Sequence, residues 1–312
     1  MGIWHKSAWV AYLAVLLGVT GHASSEFVAV LSGVAGPELS VWRFLLGGIG
    51  LIILALIFPS SRNLLEPFKT DGVRLVWLSI IGIAFGYLLF HWSLDFASVT
   101  QVATMVTTIP IFVGLINLWL NKQPFSGAKI ISGISAMLGV ALLITDGYLA
   151  KLSGAGQSFF GVLMAMGCAA LVAGYSVMIR PIIAKHGALR ITAVTMTMGA
   201  LGLWLLVGLF WKIWVNPAAL FSRPPAQSAS LLTIALWNTT ITQFLWIGGL
   251  AAVPDITRGS YLFFLKPVIA ALLAVLFLSQ TLTPWQILAI VVICASVFVE
   301  AAWTRLRRTA SS

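Results

Sequence analysis

The stretch FGYLLFHWSLDFASVTQVATMVTTIPIFVGLINLWLNKQ, Phe85–Gln123, followed by SGAKIISGISAMLGVALL, Ser126–Leu143, decides the fold. It holds three apolar segments joined by very short polar turns, with Pro110 deep inside the middle one. The same layout returns in PDITRGSYLFFLKPVIAALLAVLFLSQ, Pro254–Gln280, and LTPWQILAIVVICASVFVE, Leu282–Glu300, with Pro267 in place of Pro110. The offset, 267 minus 110 or 157, also sets Thr100 on Thr257, Leu115 on Leu272 and Gln123 on Gln280. The two copies run from Tyr87 to Leu143 and from Phe244 to Glu300. The matching order of segments, turns and breakers carries the repeat more than residue identity does.

Outward from this core the whole chain is apolar. Of its 312 residues 60% are hydrophobic and only 8% are charged, with a mean hydropathy of +1.03. A soluble domain is typically about 25% charged. Apolar runs near 20 residues span a bilayer core of roughly 30 Å. Ten spans fit the sequence: 8–31, 38–58, 73–94, 98–121, 126–145, 158–182, 190–214, 230–251, 257–279 and 284–303. The first reads as a retained helix and not as a cleaved leader, because apolar character continues past Gly21-His22-Ala23 through Phe27–Leu31. The expected class is an all-α membrane protein, with the lipid bilayer as its surroundings and a monomer as the simplest assembly.

The charge of +10 does not form a nucleic-acid stripe. With the N-terminus in the cytoplasm, thirteen Lys and Arg fall on the inside, among them Lys6, Arg62, Lys122, Lys129, Arg180, Arg190, Arg258 and the Arg305–Arg308 tail. Only Lys151, Lys212 and Arg223 fall outside. That bias obeys the positive-inside rule and puts both termini in the cytoplasm. Ten spans divide into five within residues 1–150 and five within 151–312, around the Gly-rich linker at 146–157. Five is odd, so the second unit enters the membrane from the opposite side. The expected architecture is a 5+5 inverted repeat around a central cavity, with the site near the midplane.

Neither a catalytic set nor a cofactor or metal site is expected. Cys168 and Cys294 sit inside apolar segments with no CxxC. There is no GxxxxGK[ST], HExxH or GxSxG. These absences argue against an ATP-driven pump and a membrane-embedded enzyme. Scattered polar groups, with no continuous polar stripe, argue against a channel.

Charges inside the membrane are costly and mark function by default. Lys266 lies about ten residues into the ninth span beside Pro267, at a depth near the midplane by a rise of ~1.5 Å per residue. It either meets a substrate carboxylate or pairs structurally, with Glu26 or with carbonyls freed by a kink. Arg43 and Glu26 read as structural charges. The expected substrate-binding set is His22, Tyr87, His91, Tyr175, Trp237, Asn238, Gln243, Tyr261 and Lys266, aromatic walls with a few polar groups. Pro110 and Pro267 are the expected hinges, since neither can donate to the carbonyl four residues back. Thr104, Thr107 and Thr108 are expected to bond carbonyls of their own helix.

Both copies of the pattern resemble halves of the drug/metabolite transporter superfamily of the EamA type, nearest to YddG-type exporters of aromatic amino acids. Arg43 in ELSVWRFLLGG resembles an arginine common early in that family's second span. Gln123 and Gln280 depart from it, since Glu is common there. The resemblance implies a secondary transporter exporting a small-molecule substrate, amino acids or related metabolites, across a bacterial inner membrane. Nucleotide-sugar and drug carriers of the same fold are the alternative.

Overall fold

The computed structural model describes residues 7–34, 36–97, 99–123, 126–145, 157–278 and 281–310. Lys6, Lys151, Gln280 and the linker at 146–156 lie outside the described residues, as do the side chains of Glu26, Arg305, Arg307 and Arg308.

Every regular element among the described residues is helical. The helices are α1 (Ala8–Leu31), α2 (Gly36–Ile57), α3 (Phe68–Ser93), α4 (Val99–Val106), α5 (Ile109–Asn121), α6 (Gly127–Thr145), α7 (Gln157–His186) and α8 (Ala188–Trp211). They continue with α9 (225–252), α10 (Ile256–Ser260), α11 (Lys266–Leu278) and α12 (Pro284–Ala310). Among the described residues, eight helical stretches are long and apolar enough to cross a membrane. Large apolar side chains cover the outside of the bundle: Trp119 is 73% exposed and Leu276 74%. Water would not tolerate so continuous an apolar surface, whereas lipid requires it. This is a multi-pass membrane protein.

Several helices exceed the spans expected from hydropathy. The third begins at Phe68, not 73, and the eighth at Pro225, not 230. The sixth runs through Pro181 to His186, past its expected end at 182. There the single residue Gly187, at φ 91, turns the chain into α8; only glycine takes that backbone freely.

Two irregularities recur at the repeat offset. α3 carries a π-helical segment at Leu78–Phe85 and α9 one at Leu236–Ile241. Adding 157 to 78–85 gives 235–242, so the two coincide. The span containing Pro110 breaks at Thr107-Thr108, between α4 and α5. The span containing Pro267 tightens at the matching place into a 3-10 turn, Tyr261–Leu265. Lys266 N–H then donates to the Phe263 carbonyl, the very group that Pro267 leaves without its helical donor. Thr107 Oγ1 donates to Ala103 O (2.7 Å) and Thr108 Oγ1 to Met105 O (2.5 Å), so these hydroxyls serve their own helix as expected.

Packing joins helices from before residue 146 to helices after 156: α1 on α9, α3 on α7, α2 on α8 and α6 on α12. Glycines make the close crossings possible. A Cβ on Gly18 would lie 2.9 Å from Trp246 N, and one on Gly249 2.9 Å from Val15 N. Both contacts are to backbone, which cannot swing aside. Gly249→Ala is expected to separate α1 from α9 and destabilise the fold by about 1–3 kcal/mol. Thermal unfolding in detergent checks this, and an unshifted midpoint would contradict it.

Candidate functional site

The π segment of α9 positions the site. A π turn shifts hydrogen bonding from four residues back to five, so local side chains and neighbours must satisfy what the ladder drops. Thr239 Oγ1 donates to Ile234 O (2.9 Å), Thr240 Oγ1 to Ala235 O (3.1 Å) and Thr242 Oγ1 to Trp237 O (2.8 Å), each five residues back. The Asn238 carbonyl instead accepts from Arg43 Nη2 (2.9 Å), while Arg43 Nε donates to Thr239 Oγ1 (3.0 Å). Arg43 is 4% exposed and lies 5.7 Å from the Phe44 ring centroid. A guanidinium from α2 is therefore fixed deep in the bundle by the distorted turn of α9.

Beside it lies a central cavity of about 40 Å³. Its lining includes His22 of α1, Arg43 of α2, Tyr87 of α3, Trp246 of α9, and Phe263 and Lys266 of the ninth span. Space of this size admits a few water molecules and no metabolite. The His22 ring meets Trp246 (5.8 Å) and Phe263 (5.6 Å) edge-on. His22 Nε2 is buried with no hydrogen-bond partner among the described residues. Lys266 is 7% exposed and its Nζ sits 5.9 Å from the Phe263 ring centroid.

The expected binding residues divide into three groups. His22, Tyr87 and Lys266 line the cavity. Gln243 stands directly behind it, its Nε2 donating to Tyr87 Oη (2.8 Å). The others lie apart and make other contacts. His91 Nδ1 bonds Ser40 Oγ and the Tyr87 carbonyl. Tyr175 Oη pairs with Thr195 Oγ1 (2.6 Å), and Tyr261 Oη donates to Lys129 O (2.6 Å). Trp237 Nε1 (3.1 Å) and Asn238 Nδ2 (2.9 Å) both donate to Ser24 Oγ, tying α9 to α1. Asn238 Oδ1 has no partner among the described residues. Arg43, read from the sequence as a structural charge, is both structural and cavity-lining. Trp246 was not legible as a lining residue, although it lies three residues after Gln243 and so on the same helix face.

A second, larger cleft of about 290 Å³ lies among α4, α6, α11 and the start of α12. Thr107, Leu143, Ala270 and Thr281 line it, and Lys266 reaches it as well. Leu143 belongs to the C-terminal end of α6. At the opposite end of α6, Lys129 Nζ meets Asp255 Oδ2 at 2.6 Å. Nearby, Asn117 Nδ2 donates to Gln123 Oε1 (2.8 Å) and to Thr257 Oγ1 (3.4 Å). Arg180 Nε donates to Ala251 O (3.1 Å), and its Nη2 to Val253 O. Gln123 thus works as a neutral acceptor where the resembling family commonly has Glu. On that same side His186 sits between Glu66 and Asp71, 3.0 Å from each, and Arg190 reaches Glu66 at 2.7 Å.

Burial of Asp255 opposes its charge, but the hydrogen bonds from Lys129 and the Arg258 N–H, with the charges of both residues, hold its carboxyl below the ordinary value. The hydrogen bond from His186, outweighing burial, likewise lowers that of Glu66. A carboxyl depressed in the fold stabilises above its unfolded pKa, near ~4, and loses that contribution as pH falls through the folded value. Melting temperature is expected to be level above about pH 5 and to fall in more acid solution. Asp255→Asn should lower the plateau and flatten the fall. An identical pH profile for this variant would show that the pair contributes nothing.

A multi-pass helical bundle, apolar outside, with two cations and an aromatic wall around an interior cavity, has the make-up of a membrane transport protein. The chain belongs to the EamA-like transporter family, which matches residues 6–145 and again 159–300, and it is a membrane transporter. Among its relatives is the uncharacterized transporter YwfM of Bacillus subtilis, 26% identical over 98% of this chain and 97% of that protein. The uncharacterized inner membrane transporter YicL of Salmonella typhimurium is 23% identical over 97% of each chain. A crystal structure of another protein superposes with a TM-score of 0.78 at 18% identity, covering 98% of this chain and 100% of that one; it bears on the fold alone.

Proposed function

We propose that the chain is a secondary transporter exporting small carboxylate-bearing metabolites, amino acids foremost, from the cytoplasm by alternating access. The observation that carries this reading is the central cavity, where Arg43 and Lys266 face aromatic Tyr87, Trp246 and Phe263. Two cations suit an anionic headgroup, and the rings suit a flat apolar body. The helix over 225–252 and α12 complete ten crossings in this reading, five in residues 1–150 and five in 151–312. Matching π segments and matching breaks at an offset of 157 support related halves. An odd number of crossings per half inverts the second, and both termini then face the cytoplasm with the basic loops.

In this reading the Lys129–Asp255 end is the closed cytoplasmic side and the larger cleft faces out. The central cavity is then collapsed, and re-expands when the first and second halves rock. The test is counterflow in proteoliposomes across a panel of amino acids, nucleotide sugars and cationic drugs, with and without a pH gradient. Saturable exchange of amino acids supports the proposal. Exchange confined to nucleotide sugars or drugs replaces its substrate class, and steady single-channel current replaces its mechanism. Pro110→Ala and Pro267→Ala are expected to slow turnover severalfold with little change in substrate affinity. Wild-type turnover in both would make the breaks purely architectural.

A further inference from the structure

Lys266 is shared. Its side chain lines the central cavity, beside Phe263 and Val106, and also the larger cleft, beside Thr107 and Ala270. Val106 and Thr107 are neighbours at the break between α4 and α5, so this turn of chain and the lysine border both spaces. The lysine stands where the 3-10 turn Tyr261–Leu265 gives way to α11, a junction that holds its backbone by a short-range bond. The central cavity is too small for an amino acid as it stands, whereas the cleft at about 290 Å³ approaches the size of small-ligand sites. Among the described residues lining the cleft, Lys266 is the one that carries charge. The remaining lining is neutral, apolar but for the hydroxyls of Thr107 and Thr281 and the Gln286 amide.

From this we infer that the cleft is a second binding site, a vestibule for the carboxylate end of the solute, in which Lys266 serves both spaces and passes the anion between them. The inference rests on the proposed transport of carboxylates and adds a waiting position outside the central cavity. A long flexible stem lets one ammonium reach both spaces. Thr107 Oγ1 donates its one proton to the Ala103 carbonyl, so that proton is not offered to an anion and the cation dominates recognition.

The test uses charge-selective thiol labelling, which needs no knowledge of the substrate. Ala270→Cys is introduced in the full chain with Cys168→Ala and Cys294→Ala, reconstituted in nanodiscs. Its rates of modification by a sulfonate-bearing and a trimethylammonium-bearing methanethiosulfonate are measured, and their ratio is compared with that in a second chain also carrying Lys266→Gln. The account expects labelling by both water-soluble reagents, with the anion-to-cation ratio falling on the order of tenfold when the lysine is neutralised. Lys266→Arg should keep the ratio high, which separates charge from general disturbance of the fold. An unchanged ratio would overturn the vestibule, and so would failure of either reagent to reach Ala270→Cys, as in a crevice filled by lipid tails. Counterflow by the unsubstituted chain reports separately on the central site, so loss of one reading is distinguishable from loss of the other.

Discussion

Lys266→Ala is expected to cut the transport efficiency of a carboxylated solute by about ten- to a hundredfold, the loss of one charge-assisted contact of roughly 1.5–3 kcal/mol. The lysine is 7% exposed and lines both interior spaces. No carboxylate that enters can avoid its field. Melting of the variant in detergent, measured beside transport, tells loss of folded protein apart from loss of the contact with the solute. An uncharged analogue of the same solute should lose far less, which ties the defect to the anionic group. Proteoliposome uptake of the two, side by side, is the check. Equal losses for both would assign the lysine to structure, and no loss would remove it from the site.

Arg43→Ala is expected to fail differently, by loss of folded protein. The guanidinium bridges α2 and α9 through the Asn238 carbonyl (2.9 Å) and Thr239 Oγ1 (3.0 Å). In lipid-embedded protein no bulk water replaces those donors. Each orphaned buried group costs about 1–3 kcal/mol, so the variant, which orphans two, should lose roughly 2–6 kcal/mol. Thr239→Val, which removes one of the two partners and keeps the other, should cost clearly less. Arg43→Lys keeps the charge but not the two-pronged geometry, and should fall between them. Melting curves of the three variants in one detergent give the order. A stable Arg43→Ala chain would show that the π segment satisfies itself.

Much of the fold was legible because membrane insertion acts on composition and length alone. Apolar runs, short polar turns and paired prolines suffice to place most helices within a few residues. The π segments were not legible: Leu78–Phe85 is apolar but for Ser79, and the Asn238-Thr239-Thr240 run of the other reads equally well as cavity lining, so neither signals where hydrogen bonding shifts by a residue. The role of Arg43 was hidden for a related reason: its partners lie almost two hundred residues away, on a turn whose distortion creates the free carbonyl. Among the expected binding residues, the cost of polar groups in lipid singled out His22, Tyr87 and Lys266, which line the central cavity. The same cost singled out Tyr175 and Tyr261, whose hydroxyls pair with Thr195 and with the Lys129 carbonyl, partners that the sequence does not reveal. Gln243 illustrates the middle case, one step removed from the cavity through Tyr87.

Cys168 offers the most direct test of the proposed mechanism, because this native thiol borders the central cavity. In a Cys294→Ala chain sealed into proteoliposomes of uniform orientation, a small membrane-impermeant thiol reagent is applied to one face and then, separately, to the other. Alternating exposure of one central space predicts that Cys168 is modified from both faces, and that a transported solute slows modification from each. Modification from one face only, whatever solute is present, would contradict a cavity that opens alternately to both sides.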